Sequence, residues 1–82
     1  MNDYDGIFTL IFNELHKAEM KHAGWPEDLI HAAAIIGEES GELTQACLDD
    51  TYDKRCPDRI RREAAQVAAM GIRFLINMED IT

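Results

Sequence analysis

Apolar residues recur along this chain at intervals of three and four, and no stretch alternates strictly between apolar and polar, so the pattern predicts helices and no strand. A first helix is predicted from about Asp5 to His22: Ile7, Phe8, Ile11, Leu15 and Ala18 share one face, and Ala23-Gly24 supplies a stop. A second is predicted to start near Pro26, because proline suits a first helical turn and Glu27 and Asp28 follow where the positive end of the helix dipole favours acids. It continues to about Asp50 or Thr51 and closes at the polar segment Asp53-Lys54-Arg55-Cys56. Pro57 and Asp58 open a third helix, which carries Ile60 to Met78 with Gly71 as its one interruption. The expectation is an all-α fold, an antiparallel bundle of three main helices forming one domain over residues 1–82.

Placing side chains at about 100° per residue puts Leu29, Ala32, Ile36, Leu43, Ala46 and Cys47 on one side of the second helix, with Glu39 among them. Glu38 and Glu42 lie at the edge of that stripe. The third helix repeats the pattern: Ile60, Val67, Met70, Phe74 and Met78 form its apolar stripe, Glu63 projects within it, and Gln66 sits at its margin. An unpaired buried carboxylate costs several kcal/mol or is forced neutral, and a small domain has little stability to spare. Two inward-facing glutamates on separate helices therefore call for a cation. The histidines His16, His22 and His31 do not fall in the Glu-x-x-His pattern of a di-iron bundle, and an all-oxygen set of Glu39, Glu42 and Glu63 favours Mg²⁺ or Mn²⁺.

Composition narrows the remaining choices. With 46% hydrophobic and 29% charged residues the chain is globular, and at 82 residues its core is thin. A formal net charge of −8 argues against nucleic-acid binding, which needs clustered Lys and Arg, but an acidic protein can hold a polyphosphate through divalent ions. No segment reads as a signal peptide or membrane span, so a soluble, cytoplasmic protein without a membrane partner is expected. Cys47 and Cys56 lack metal-ligand spacing and read as free thiols.

The segments Glu39-Ser40-Gly41-Glu42 and Glu63-Ala64-Ala65-Gln66 resemble the Glu-x-x-Glu and Glu-x-x-Asp signature of the MazG-like all-α nucleoside triphosphate pyrophosphohydrolases. The context is similar too: Trp25-Pro26, His31-Ala32-Ala33-Ala34-Ile35, Glu38 before Glu39, and Val67-Ala68-Ala69-Met70 before Arg73-Phe74-Leu75, covering roughly Trp25 to Leu75 and resembling a short bacterial and phage subgroup. The resemblance implies hydrolysis of a nucleoside or deoxynucleoside triphosphate between the α and β phosphates, with Glu39, Glu42 and Glu63 as catalytic metal ligands. Glu38 would be a supporting or additional ligand, and Gln66 would occupy the corner where the signature has Asp. A neutral amide oxygen binds Mg²⁺ more weakly than a carboxylate does. The chain would then bind fewer ions, draft Asp49 in its place, or be a non-catalytic relative that binds nucleotide or a protein partner.

Lys17, Lys21, Arg62 and Arg73 are the candidate phosphate contacts, and Trp25 is a candidate for stacking on a base or for packing at a helix start. The third helix is apolar nearly all round, with Ala65, Ala69, Ile72 and Ile76 opposite the Val67, Met70 and Phe74 stripe, which predicts burial on both sides. Coverage of its second side by another subunit is expected, giving a homo-oligomer. The expectation is at least a dimer, and the resemblance extends it to a tetramer, with the site near or across the subunit interface.

Overall fold

A computed structural model of the protein describes residues 3–53 and 57–81. It contains three helices, α1 (Asp3–Lys21), α2 (Leu29–Asp53) and α3 (Pro57–Ile81), and no strand among the described residues. No helix is long and apolar enough to cross a membrane among those residues. Cys56, at the predicted break between α2 and α3, lies outside the described residues, whereas Cys47 is a free, exposed thiol.

The second helix begins three residues later than proline placement predicts. Trp25 and Pro26 belong to the connection, and Asp28 is the cap: its Oδ1 accepts from the Ile30 amide at 2.9 Å, while its carbonyl accepts from Ala32 at 2.9 Å. The geometry explains the difference, because an aspartate cap supplies the acceptor that an unpaired first-turn amide needs, and Pro26 can supply none.

The third helix is the spine. α1 and α2 both pack on it, and among the described residues no Cα of α1 comes within 8 Å of a Cα of α2. The ends of α1 and α3 that come first in sequence meet, since Ile7, Leu10 and Ile11 line one groove with Asp58, Ala64 and Ala65. Near the other end of α3, Arg73 reaches the connection that follows α1. Thus α1 runs in the same sense as α3 and α2 in the opposite sense, as an up-down-up arrangement requires. Small side chains allow the close approach: Ala65, Ala69, Ala32 and Ala46 are all buried, and Ala69 is wholly so.

This arrangement revises the reasoning about assembly. α1 covers the second side of α3 in part, near Ala65, while Ile76 on that same side stays about half exposed. Apolar surface is also left open at Leu75 and on the outer face of α1. Tyr4, Phe8 and Phe12 form a ladder there, with successive ring centroids 6.5 Å apart. Phe8 and Ile7, expected on the packed face of α1, are about half exposed because the helix turns the Leu10, Ile11 and Glu14 side toward α3. On α2, Leu29 and Cys47 likewise face outward at the ends of a stripe whose buried members are Ala32 and Ala46.

Arg73 ties the connection down. It is 6% exposed, donates from Nη2 to the carbonyls of His22 at 2.6 Å and Gly24 at 3.1 Å, and lies 4.9 Å from the centre of the Trp25 ring. Hydrogen bonds from a charged donor contribute about 1.5–3 kcal/mol each, and the cation–ring contact adds to them. Replacement by leucine keeps the bulk and strands both carbonyls, so Arg73→Leu is expected to cost about 3 kcal/mol in urea unfolding. Asp28→Ala removes the cap of α2 and is expected to cost about 1 kcal/mol in the same assay, with Asp28→Asn near neutral.

Candidate metal centre

Glu39 and Glu42 stand one turn apart on α2, and Glu63 faces them from the antiparallel α3. One carboxylate oxygen from each lies within 4.8 Å of the other two. Oxygens sharing one Mg²⁺ at about 2.1 Å are at most about 4.2 Å apart, so a small side-chain adjustment brings the three onto a single ion. Glu39 and Glu63 are half-buried and Glu42 is exposed, which gives the cluster an inner wall and an open side.

Two oxygens of this cluster lack a protein partner. Oε2 of Glu39 and Oε2 of Glu63 are both buried and have no hydrogen-bond partner. Burial raises the pKa of Glu39, with the charges of Glu42 and Glu63 adding to the effect and a hydrogen bond with the Glu42 carboxyl favouring the protonated form. Glu63 is raised for the same reasons, burial first and Glu42 next, and the nearby Arg59 and Arg62 only partly offset the shift. Without a cation the cluster is relieved by retaining protons. With an all-oxygen ligand set and two buried acceptors lacking donors, it fits a hard divalent ion.

The remaining predicted residues divide by location. Glu38, Glu39 and Gln66 line a cleft of about 500 Å³ between α1 and α2, floored by α3. Trp25, Lys21, Lys17 and Arg73 line the same cleft, with Ile35 and Met70. Glu42, Glu63 and Arg62 do not line this cleft: Glu42 and Glu63 meet Glu39 in the trio, and Arg62 stands apart from the cleft. That residue lines two neighbouring grooves, one beside Glu63 and Gln66 and one beside Ile7 and Leu10. Arg73 is placed at the cleft but already carries the structural bonds described above, so its guanidinium is an anchored group rather than a solvated one. Trp25 is likewise engaged, by Arg73. The three histidines are exposed.

Asp49 is not a substitute for the carboxylate lacking at position 66. Its Oδ2 accepts from Arg59 at 2.7 Å and its Oδ1 from Gln45 at 2.9 Å, and these two bonds hold its pKa below the ordinary range. A carboxylate so paired is turned away from the cluster by its own partners.

One acid escaped the sequence reading. Glu14 on α1 is 5% exposed and lines the cleft opposite α2. Its signal was present in the row Ile7, Ile11, Glu14 and Ala18, where spacings of four, three and four place a carboxylate at a core position.

The raised carboxyls make stability depend on pH with a definite sign. Their folded pKa values lie above the ordinary glutamate value of 4.5, so the folded state binds more protons than the unfolded chain in that interval. The associated stability is fully present below 4.5 and is lost as pH rises through the folded values. Asp49 acts oppositely and in a more acidic window, below its ordinary 3.8. In chelator, the melting temperature is expected to fall as pH rises above 4.5. Glu39→Gln or Glu63→Gln should flatten that fall and raise the melting temperature at neutral pH; an unchanged pH profile for both variants would remove the inward-facing carboxylates as its cause.

Comparison with protein-family models, with curated proteins and with solved structures finds no match to this chain.

Proposed function

We propose that this protein is a Mg²⁺-dependent nucleoside or deoxynucleoside triphosphate pyrophosphohydrolase of the MazG-like kind, Mn²⁺ being an alternative ion, with a role in clearing unwanted nucleotides from the pool. The observation that carries the reading is the trio Glu39, Glu42 and Glu63, gathered from two helices with two buried oxygens lacking donors. These three are the ligands the proposal assigns, with Glu38 and Gln66 at the cleft side of the trio. A divalent ion there would bind phosphate oxygens and make a bound water acidic enough to act as the nucleophile.

The chain's own groups then have separable tasks. Glu39, Glu42 and Glu63 would fix the phosphate end of the ligand through the ion, with Glu39 the member of the trio that lines the cleft. Lys17 and Lys21 border the cleft along α1 and offset phosphate charge. Ile35, Met70 and the Trp25 edge give the cleft an apolar part suited to the nucleoside, and its volume lies in the range of small-molecule sites. Arg73 holds the Trp25 segment in position through the His22 and Gly24 carbonyls. The open aromatic ladder of α1 and the exposed Leu75 and Ile76 support a homo-oligomer, a dimer or tetramer, since large apolar patches on a small acidic protein are surfaces for association. A cytoplasmic location and the absence of a nucleic-acid partner belong to the same proposal.

A second reading rests on Gln66: a helical oligomer that binds nucleotide or a protein and retains a partial metal site without turnover. A panel of triphosphates with Mg²⁺ or Mn²⁺, scored for pyrophosphate rather than orthophosphate, separates the two. Pyrophosphate release that falls by about 100-fold or more in Glu63→Gln supports the enzyme. No release from any triphosphate, with nucleotide still bound, would establish the second reading instead. Gln66→Asp is expected to tighten Mg²⁺ binding by about tenfold in a calorimetric titration, and an unchanged affinity would place the site elsewhere.

A further inference from the structure

Two cavities of different character meet at the trio. Glu39 lines the central cleft with Trp25, Ile35 and Met70, whereas Glu63 lines a smaller cavity of about 360 Å³. Around the smaller one stand Glu14, Lys17, Arg59, Arg62, Glu63 and Gln66, none of them apolar. A cavity walled only by polar and charged groups gives a base no apolar surface to lie against, and suits a small ion instead. Glu14, Lys17 and Gln66 line both cavities, so the two adjoin, and a cation held between Glu39 and Glu63 stands at their junction.

The charges around the smaller cavity decide the sign of its ligand. Three cationic side chains face two carboxylates there. Of those two, Glu14 is answered by the Lys17 ammonium at 3.9 Å, and Glu63 belongs to the metal trio. Arg59 is held in place from α2, its Nη1 donating to Asp49 Oδ2 at 2.7 Å. Arg62 is exposed and makes no ion pair among the described residues. Burial raises the Glu63 pKa most, and Arg59 and Arg62 oppose that rise, so both guanidinium charges are felt at its carboxylate. Five of the eight basic residues in this chain of net charge −8 fall between Lys54 and Arg62, which makes the start of α3 the place where positive charge is concentrated.

We propose that the cavity of Lys17, Arg59 and Arg62 is a pyrophosphate seat, which takes the two terminal phosphates of a triphosphate while the nucleoside lies in the central cleft. This rests on the metal-dependent reading above. Hydrolysis would form a bond from the water oxygen to the α phosphorus and break the bond from that phosphorus to the bridging oxygen. The bridging oxygen leaves with the electron pair as part of pyrophosphate, and the proton of the water passes to solvent. Negative charge therefore grows on the diphosphate, where guanidinium groups bind it through charge-assisted N–H donors. The seat also measures phosphate length, because a monophosphate that fills the cleft leaves Arg62 without an anion.

Calorimetric titration of the full chain tests the seat without turnover. The wild type saturated with Mg²⁺ is expected to bind inorganic pyrophosphate, Arg62→Gln to weaken that binding by about tenfold or more, and Arg62→Lys to recover part of the loss. Two control variants each remove one exposed positive charge elsewhere: Arg61→Gln in the groove between α1 and α3, and Lys21→Gln in the central cleft. Neither residue lines the small cavity, and both controls are expected to change pyrophosphate affinity by less than about threefold. Equal weakening in Arg61→Gln would reduce the effect to general charge attraction, and weakening in Lys21→Gln but not in Arg62→Gln would put the anion in the cleft; either outcome overturns the seat. Mg²⁺ bound without pyrophosphate overturns it too, and leaves the Glu39, Glu42 and Glu63 site intact. No Mg²⁺ bound by the wild type would overturn both readings.

Discussion

Close contact along α3 is the constraint on which the rest of this structure depends. Ala69 is wholly buried and Ala65 nearly so, and alanine at these positions lets two helices approach one spine in a chain of only 82 residues. A larger side chain at either position would displace a helix rather than fill a gap, since the facing side chains leave little room for added volume. The helix that supplies the close packing also carries Glu63, Gln66 and Arg73. The position of the candidate site is therefore set by the packing of α3, with each flanking helix contributing its own acid toward the common axis.

Electrostatics and packing pull in opposite directions here. Packing draws Glu39 and Glu63 inward, and burial then penalises their charge while Glu42 penalises it further. A hydrophobic pair at those positions would relieve the conflict without any ion. A cluster of this kind is expensive as architecture and useful as chemistry, which is why it supports a functional proposal more strongly than an equal number of acids scattered over the surface. Asp49 makes the contrast within the same molecule: partnered by Arg59 and Gln45, it is an ordinary structural carboxylate.

Much of this was legible from residue spacing. Helix number and the inward aim of Glu39 and Glu63 follow from periodicity and order along the chain, whereas the cleft that Trp25, Lys21 and Gln66 share depends on how the helices pack. The start of α2 was misjudged because Pro26 and Asp28 both signal a helix entry, and only the hydrogen bond from the Ile30 amide decides between them. The burial of Arg73 was not legible, because its partners are backbone carbonyls about fifty residues away, and carbonyls leave no mark in a sequence. Glu14 was legible, because it stands in the row of apolar residues Ile7, Ile11 and Ala18. The coverage of α3 by α1 depends on the relative placement of helices, which periodicity alone does not determine.

The separation of α1 from α2 has a mechanical meaning. The two helices rest on a common spine like the covers of a book, joined at one end by the segment that Arg73 holds. Any guest that touches both covers completes an interface the polypeptide leaves unmade, and its binding energy adds directly to the stability of the fold. In a chain this small, a ligand bridging α1 and α2 would share one cooperative unit with the hydrophobic core.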